Sequence, residues 1–542
     1  MAVGRVKYVW QFYGTYALVA LAIMLPLLLP GFILTLDMVF TPHIPMPEQA
    51  TSSYLFYAAL HVLNTVISAD ILQKILLLAI LILSGIGLHR LVRSAVPMTR
   101  EPGDWGIAVA SIFYMINPFT YSRFMAGQFA VLLGYALLPW LVRSLVMFAR
   151  QPNTRRALFV AVWLVLIGIV SIHTLGDAAI LLLAGGAVVA WRKRAQLTQY
   201  VKYGALALGA FIAASCYWLI PLLSGKGRTA ELAATFGSAD TQAYATVGSN
   251  LATQIFNVLR LQGFWMESKG LYALPQDRAF LWGLMAIGVI ALVATGARVL
   301  WQRTRAFAVF IVLSGLTGLV LAVGLGDWAR DVPLLNGFRE PHKFVALLTL
   351  MYAVCLAPGI AALLDRARKK SDGWYAAAAI AVILLPFLFM RVMFWGFDKQ
   401  LMPRHYPASW IDANWQLKQD HDNFNILFLP WHHYMSYDFS GRIIAHPAPK
   451  FFEKPTIVSN DPELGKIDAD RHDPRQAAIT RALTGPPDKR AHELAKHNIK
   501  YVLLAKDLDY QKYDYLKKEP DFKIIRDTND LTVFSNQAWR NE

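Results

Sequence analysis

The sequence predicts a polytopic α-helical membrane protein with a small C-terminal extracytoplasmic α/β domain. The chain has 542 residues, of which 56% are hydrophobic, and its mean hydropathy is +0.39. Apolar stretches long enough to cross a bilayer recur through residues 1–395 and then stop. Lys and Arg concentrate in alternate connections between these stretches. We therefore expect two domains, a transmembrane domain over residues 1–395 and an extracytoplasmic domain over residues 396–542.

About eleven apolar stretches are candidate transmembrane helices, and the third and sixth of them are short. The first stretch continues through "PLLLPGFILTLDM" and has no small-residue cleavage pattern, so we interpret it as an uncleaved span and not as a signal peptide. The stretches cover residues 15–36, 71–88, 105–116, 128–148, 157–173, 178–191, 203–223, 279–297, 306–325, 344–364 and 374–395.

The distribution of positive charge predicts the orientation. With a cytoplasmic N-terminus, six inner segments hold 20 Lys and Arg residues, whereas the longer outer connections before the C-terminal domain hold nine. Positive residues accumulate on the cytoplasmic side of membrane proteins. We therefore expect a multi-pass plasma-membrane protein with its N-terminus in the cytoplasm, surrounded by membrane lipids, and with its C-terminal domain and the loop after the first span outside.

Charge and motifs also exclude several classes of protein. The net charge of +16 belongs wholly to residues 1–395, because residues 396–542 contain 21 basic and 21 acidic residues. A nucleic-acid partner is not expected, since no basic soluble domain is present to hold a phosphate backbone. Cys216 and Cys355 lie inside apolar stretches, which favours packing over a disulfide or zinc. The chain has no Walker A or GxGxxG motif, which argues against an ATP-driven pump.

Three outer loops and the C-terminal domain contain further predicted elements. The loop 37–70 includes a candidate interfacial helix, and the loop 224–278 includes "NLATQIFNVLRLQGFW", an amphipathic pattern; the third loop is 326–343. In the C-terminal domain, "NFNILFLPW" and "IKYVLLAKD" predict strands, "DPRQAAITRALT" and "PDKRAHELAKHN" predict helices, and "FKIIRDTNDLTVFSN" predicts a hairpin. The stretch "SYDFSGRIIAHPAPKFFEKPTIVSND" is either an acceptor-facing surface or an irregular connection.

Asp37 follows the first span directly, in "TLDMVFTPHIP", a stretch without Lys or Arg. An outer membrane surface has no nucleotide pool, so a group transferred there arrives on a lipid carrier, and the enzyme needs a base near the interface. A carboxylate at the boundary between helix and water gains basicity from partial desolvation and still ionises. Asp37 is therefore the candidate catalytic base. The alternative is that it only caps the loop.

Cationic residues on the outer face are candidates to bind the phosphate of such a carrier. Arg123 lies in "NPFTYSRFMAGQF", and Gln128 follows it by about a turn and a half. Arg binds phosphate as a two-pronged donor and Lys as a point charge. Snorkelling to lipid headgroups is the alternative, most of all for Lys343. The segment "LLNGFREPHKF" adds Arg339, Glu340, His342 and Lys343, in which Glu340 is expected to pair with one of the cations.

Other polar residues give weaker signals. His173 and Asp177, in "IHTLGDA", are expected to form a tight polar turn between two spans. His43 and Glu48 share the loop of Asp37, so these three side chains are candidates for a divalent cation site. Trp265 is a candidate to stack on a sugar ring. No cofactor is assigned beyond this optional cation.

The layout resembles the GT-C superfamily of glycosyltransferases. The motifs "NPFTYSRFMAGQFAVLLGYALLPWL" and "FREPHKF" resemble the membrane part of the mycobacterial arabinofuranosyltransferase D group, and the resemblance covers most of residues 1–395. It implies a polyprenyl-phosphate-linked sugar donor, inverting transfer, and Asp37 as the base. Many relatives have two adjacent acidic residues at this place, whereas here Asp37 is followed by Met38. The large carbohydrate-binding modules of the mycobacterial enzyme are not found in this chain.

The sequence as a whole predicts a glycosyltransferase of the membrane. The expected reaction transfers a sugar, with arabinofuranose as a candidate, from a polyprenyl phosphate to a glycan or glycolipid of the cell envelope. A transporter of lipid-linked glycans is one alternative, although it should show midplane charges or paired broken helices. A ligase or polymerase that moves a whole glycan is another, since it would use similar surface chemistry.

Overall fold

The computed structural model describes residues 2–98, 102–225, 242–272, 274, 279–324, 335–461, 463 and 473–541. Parts of two predicted outer loops, residues 226–241 and 325–334, lie outside the described residues, as do the predicted outer cations Lys226, Arg228, Arg278 and Arg330. The chain divides into two compact units. The first comprises Met1–Pro26, Pro47–Ala59 and Ile75–Gln400, and the second comprises Leu27–Met46, Leu60–Lys74 and Leu401–Glu542.

Helices dominate the chain up to residue 389. They are α1 (Ala2–Met24), α2 (Tyr54–Asn64), α3 (Ala69–Ala95), α4 (Gly103–Met115), α5 (Pro118–Met125), α6 (Phe129–Arg150), α7 (Thr154–Val170), α8 (Ile172–Arg192), α9 (Leu197–Leu223), α10 (Leu251–Leu259), α11 (Ala279–Arg303), α12 (Arg305–Ala322), α13 (Val345–Lys370) and α14 (Asp372–Phe389). Short 3₁₀ turns cover Leu25–Leu28, Arg194–Gln196, Trp265–Lys269, Leu335–Phe338, Pro341–Phe344 and Arg391–Met393.

Nine helical segments in the described part of the chain are long and apolar enough to cross a membrane. They are Gln11–Leu28, Ala69–Ala95, Phe129–Arg150, Ile172–Arg192, Arg194–Leu223, Phe280–Arg303, Arg305–Ala322, Pro341–Lys370 and Asp372–Phe389. The other two predicted spans form α4, with 13 residues, and α7, with 17 residues. These two fall short of a span length of 18 residues, so the count of eleven spans stays a prediction.

Helix α13 forms the centre of the first unit, because its side chains from Val345 to Ile360 are buried on every face. Two glycines allow α11 to approach it closely. A Cβ atom on Gly296 would lie 1.7 Å from Cys355 O, and one on Gly359 would lie 2.1 Å from Leu292 O. Small residues at a helix contact let the two backbones approach within van der Waals distance, which is the main attraction between helices in lipid.

The second unit is built on a five-stranded sheet, and two further short strand pairs complete its strands. Strand order in the sheet is β6, β3, β7, β9 and β8, with β3 parallel to both β6 and β7 and with β9 antiparallel to β7 and β8. The strands are β1 (Phe32–Ile33), β2 (Pro403–Arg404), β3 (Asn425–Leu429), β4 (Tyr434–Tyr437), β5 (Arg442–Ala445), β6 (Thr456–Ile457), β7 (Ile499–Ala505), β8 (Phe522–Asp527) and β9 (Leu531–Asn536). Its helices are α15 (Ala408–Lys418), α16 (Ala448–Phe451), α17 (Pro474–Thr484) and α18 (Pro487–Ala495).

Each face of this sheet packs against its own apolar layer. Side chains alternate along a strand, so Ile426 and Phe428 of β3 join one core, and Leu427 and Leu429 join the other. The first core includes the fully buried Trp410, and it also takes in Leu34 and Val39 from the loop after the first span. This loop is therefore part of the second unit's core, as is confirmed by the antiparallel pairing of β1 with β2.

The strands and helices predicted after residue 396 are confirmed in type and place. The predicted helix in "NLATQIFNVLRLQGFW" is also present, as α10, with Val258 buried and Phe256 exposed. The stretch "SYDFSGRIIAHPAPKFFEKPTIVSND" contributes to the hairpin β4–β5 and contains α16 and β6, while the larger part of it lies in turns and irregular connections.

Candidate functional site

Asp37 lies at the tip of a tight turn in the second unit. Met38 N donates to Thr35 O at 2.7 Å, and Thr35 N donates to Met38 O at 3.3 Å. Leu36 has a positive φ of 25°, which a residue other than glycine adopts only where its surroundings hold it. The turn therefore has a defined backbone shape, and this shape determines where the Asp37 side chain starts.

Strand β5 holds this turn. Leu36 N donates to Ile443 O at 3.2 Å, and Ala445 N donates to Leu36 O at 2.7 Å. Arg442 adds a side-chain contact, because its Nη1 donates to the Thr35 hydroxyl at 3.1 Å. The loop after the first span is thus attached to a strand near the other end of the chain.

The Asp37 carboxylate is half-buried and accepts a hydrogen bond from Tyr434, whose Oη lies 2.8 Å from Asp37 Oδ1. Tyr434 is the first residue of β4 and is paired with Ala445 of β5. The hydroxyl donor therefore comes from the strand beside the one that holds the turn. A hydrogen bond donated to a carboxylate stabilises its ionised form, which is the form that accepts a proton.

Two basic residues of the second unit, His433 and Lys450, interact electrostatically with Asp37. Burial lowers the pKa of His433, although Asp37 and the Ser459 carbonyl oppose this effect. The His433 ring also packs edge-on against the Tyr434 ring, with 4.6 Å between centroids. Burial lowers the pKa of Lys450 as well, and the Asp37 carboxylate opposes this effect too.

The candidate cation site does not form around Asp37. His43 is exposed, and its ring lies edge-on to His61 at 5.8 Å. Glu48 is also exposed and belongs to the first unit. Throughout the part of the chain that the structure describes, no group of three or more His, Cys, Asp or Glu residues is arranged to hold a metal ion.

Arg123 lies in the first unit on α5, whose start is set by Asn117. The Asn117 side chain accepts the Thr120 N–H at 3.0 Å, and Pro118 occupies the first helical position. The Arg123 guanidinium is fully buried, with 0% exposure. It lies 4.6 Å from the Phe264 ring centroid and 5.4 Å from that of Phe119.

The buried guanidinium connects the two sequence motifs "NPFTYSRFMAGQF" and "FREPHKF". Arg123 Nη1 donates to Gln128 Oε1 at 2.7 Å and to Glu340 Oε1. Nη2 donates to His342 Nδ1 at 2.6 Å, so His342 carries its proton on Nε2. Lys343 Nζ lies 3.1 Å from Glu340 Oε2. Arg123, Gln128, Glu340, His342 and Lys343 are called the Arg123 network below.

This burial changes the interpretation of Arg123 and His342. Both were expected to contact the donor phosphate, but both have 0% exposure and are engaged with each other. Burial disfavours the charged form of Glu340, yet Arg123 and Lys343 hold its pKa well below its usual range. The Arg123 guanidinium is thus engaged with Gln128, Glu340 and His342.

Lys343 and Arg339 are less enclosed than Arg123. The Lys343 side chain is 15% exposed. The Arg339 guanidinium is half-buried and lies 4.6 Å from the centroid of the Tyr244 ring. These two cations are thus better placed to meet a ligand.

Trp265 does not present its ring as an open stacking surface. It is 8% exposed and packs edge-on against Tyr244 at 4.9 Å and against Phe264 at 5.6 Å. Lys269 Nζ lies 5.6 Å from the ring centroid. Trp265 therefore packs against other residues of the segment 242–272. A sugar could stack on its ring only if these contacts were broken.

His173 and Asp177 do not form a turn, which corrects the expectation from the sequence. Both lie in the first turns of α8, which begins after Ser171, the residue whose hydroxyl caps Thr174 N. Asp177 is 3% exposed, and its carboxylate interacts electrostatically with Arg123 and Lys343. Asp177 is therefore a further acidic group near the Arg123 network. The sequence did not predict this proximity, because Asp177 and Arg123 are far apart along the chain.

Glu267, which the sequence analysis did not predict as a site residue, is a further titratable group near Arg123. Its carboxylate accepts N–H groups of Gly263, at 3.1 and 3.2 Å, and Phe264, at 3.1 Å. Burial raises the pKa of Glu267 to about 7, while the two backbone donors and Arg260 oppose this rise. In the folded chain Glu267 therefore keeps its proton at pH values well above 4.5, the usual pKa of a glutamate.

We expect this raised pKa to give the protein a measurable pH dependence. The folded chain binds the Glu267 proton more tightly than the unfolded chain does, so stability falls as pH rises from about 4.5 to about 7. In a Glu267→Gln variant the stability should decrease less over this pH range, because the titrating carboxyl group is absent. Thermal unfolding of both proteins at about pH 5 and about pH 8 measures the difference. Equal pH dependence in the two proteins would contradict it.

Comparison with protein-family models matches residues 46–533 to the family described as "Alpha-(1->3)-arabinofuranosyltransferase, N-terminal GT-C domain". No curated protein sequence matches the chain.

The solved structures that match the chain include those of an arabinofuranosyltransferase and of ArnT. The cryo-EM structure of arabinofuranosyltransferase AftD from Mycobacteria has a TM-score of 0.64 at 16% identity, over 97% of this chain and 40% of that one. The chain thus spans about two fifths of the length of that enzyme. The crystal structure of ArnT from Cupriavidus metallidurans bound to undecaprenyl phosphate has a TM-score of 0.48 at 12% identity, over 99% and 98% of the two chains.

Proposed function

The chain belongs to the family of the α-(1→3)-arabinofuranosyltransferase N-terminal GT-C domain, and we propose that it transfers a sugar from a polyprenyl-phosphate donor to a glycan or glycolipid of the cell envelope. Arabinofuranose, the sugar in the family's description, is the first candidate. The observation that carries this proposal is the fixed carboxylate of Asp37, held in its turn by β5 and hydrogen-bonded by Tyr434.

In the proposed reaction Asp37 acts as a general base. An acceptor hydroxyl oxygen attacks the anomeric carbon of the donor sugar, and the bond between that carbon and the phosphate oxygen breaks. The hydroxyl proton passes to the Asp37 carboxylate, and the electron pair leaves with the polyprenyl phosphate. Attack opposite the leaving group inverts the anomeric centre. The reaction needs no oxidant or reductant.

The leaving phosphate gains negative charge as its bond to the sugar breaks, so cations aimed at it lower the barrier. We assign this part to Lys343 and Arg339, because both side chains are less enclosed than the fully buried guanidinium of Arg123. Arg123 and His342 position the segment that carries Lys343 and Arg339. The basic inner connections support placing this chemistry on the extracytoplasmic face.

The test is release of polyprenyl phosphate by purified, detergent-solubilised protein from a panel of polyprenyl-phosphate sugars, with and without EDTA. Release from one donor supports the proposal and identifies the sugar, and loss of release in EDTA would reveal a cation requirement. Binding of the lipid without release from any donor would overturn the proposal and favour transport or transfer of a whole glycan.

Lys343 offers a sharper check on phosphate binding. Lys343→Gln removes the charge and leaves Glu340 paired with Arg123, so the donor KM should rise about tenfold because one charge-assisted contact is lost. Lys269→Gln is the matched control, since Lys269 is an exposed lysine of the same unit. An unchanged donor KM in the Lys343 variant would assign the phosphate to other residues.

A further inference from the structure

We propose that Tyr434 is the positioning residue of the base: its hydroxyl orients the Asp37 carboxylate and stabilises it in the ionised state. The inference rests on the proposed function, since it gives Tyr434 a part in the same transfer. Tyr434 is not a catalytic residue in this assignment, because it acts on the substrate only through Asp37.

The backbone geometry ties both partners of this hydrogen bond to β5. Tyr434 is paired with Ala445, and Ala445 N donates to Leu36 O at 2.7 Å. Asp37 is the next residue after Leu36. The backbones of Asp37 and Tyr434 are therefore both held next to Ala445 of β5. The hydrogen bond of 2.8 Å between their side chains adds a second connection between them.

The core below β4 keeps Tyr434 in place. Met435 and Tyr437 are 2% and 1% exposed and belong to the same apolar core as Leu34 and Val39 of the Asp37 loop. Because side chains alternate along a strand, Tyr434 lies on the face opposite these two anchors. Its ring is half-buried, so its hydroxyl has little freedom to leave the carboxylate.

The titratable and charged groups around Asp37 come from three elements. Tyr434 opens β4 and His433 precedes it, Arg442 of β5 bonds the turn at Thr35, and Lys450 lies on α16. Tyr434→Phe removes one hydroxyl and leaves His433, Arg442 and Lys450 in place. A change in pH dependence in this variant is therefore a property of the Tyr434 hydroxyl.

A second tyrosine in the same unit provides a matched control. Tyr501 Oη donates to Asp420 Oδ2 at 2.8 Å, the same bond type and length, but Asp420 also pairs with Lys500 at 2.5 Å. Tyr501→Phe thus removes an equivalent hydrogen bond from a structural ion pair. Any general cost of losing a tyrosine hydroxyl in this unit appears in both variants.

The experiment measures kcat, donor KM and the pH profile of kcat/KM in full-length wild type, Tyr434→Phe, Tyr501→Phe and Asp37→Asn. We expect Tyr434→Phe to lower kcat about tenfold, to leave donor KM unchanged, and to move the acid limb of the profile up by about one pH unit, because a donor to the ionised carboxylate is lost. Tyr501→Phe should match the wild type in all three.

The outcomes separate this inference from the proposed function. A wild type that releases no polyprenyl phosphate would overturn the function itself. An active wild type, an inactive Asp37→Asn variant and a Tyr434→Phe variant with unchanged kcat and pH profile would overturn only the role of Tyr434. Equal losses in Tyr434→Phe and Tyr501→Phe, with lower unfolding temperatures in both, would also overturn it, since they indicate a structural effect.

Discussion

Replacing Asp37 with Asn should lower release of polyprenyl phosphate by about 10²- to 10⁴-fold, because a neutral amide cannot take the proton of the acceptor hydroxyl. The amide has nearly the same size as the carboxylate, and its oxygen can still accept the Tyr434 hydroxyl. The turn around Asp37 is held by backbone bonds to β5 and should fold as before. Donor binding should therefore persist while turnover is lost.

The measurement compares turnover with equilibrium binding of the donor lipid in the same preparations. Asp412→Asn is the matched control, since Asp412 is an exposed carboxylate of the same unit that pairs with Arg526 at 2.6 Å. An exposed ion pair contributes little to stability, so this variant should behave as wild type. Turnover retained in Asp37→Asn would remove Asp37 from the role of base.

The second large effect is expected from Glu340. Glu340→Leu leaves the buried Arg123 guanidinium and the Lys343 ammonium without their shared carboxylate. Removing one member of a buried ion pair costs about 3–5 kcal/mol, because the remaining charge stays buried without its counter-charge. We therefore expect a large fall in the thermal unfolding temperature of the detergent-solubilised protein, and loss of turnover with it.

The double variant Arg123→Leu/Glu340→Leu distinguishes this explanation from a simple loss of packing. Removing both partners also removes the uncompensated guanidinium charge, so the loss of stability in the double variant should be smaller than the sum of the losses in the two single variants. Glu453→Gln is the control, as it breaks an exposed pair with Lys418 and should change stability by less than about 1 kcal/mol. Additive single effects in the buried pair would contradict the account.

The sequence was most informative where one physical pattern decides the local structure. Long apolar runs became the nine described span candidates, and short continuous apolar runs after residue 396 became β3 and β7. The motif around Arg123 and the segment with Glu340 were both picked out from their charges. These patterns are local, so a single sequence contains them.

Contacts between distant parts of the chain were not predictable in the same way. Arg123 and Glu340 are 217 residues apart, and only their packing reveals that a cation expected to face a ligand is enclosed. His173 and Asp177 form part of a helix because Ser171 caps it, although their place between two predicted spans suggested a polar turn. Tyr434 had no feature that marked it, since its partner lies at the other end of the sequence.

The attachment of the Asp37 turn to β5 has a consequence for biosynthesis. Asp37 and Tyr434 are 397 residues apart, so a ribosome that adds about 5–20 residues per second needs about 20–80 s to make one after the other. Throughout this interval the nascent chain has its first span but not the strands that shape the base. A chain that stops short of β5 should therefore lack the backbone bonds that hold the Asp37 turn, so the carboxylate takes its fixed position only late in synthesis.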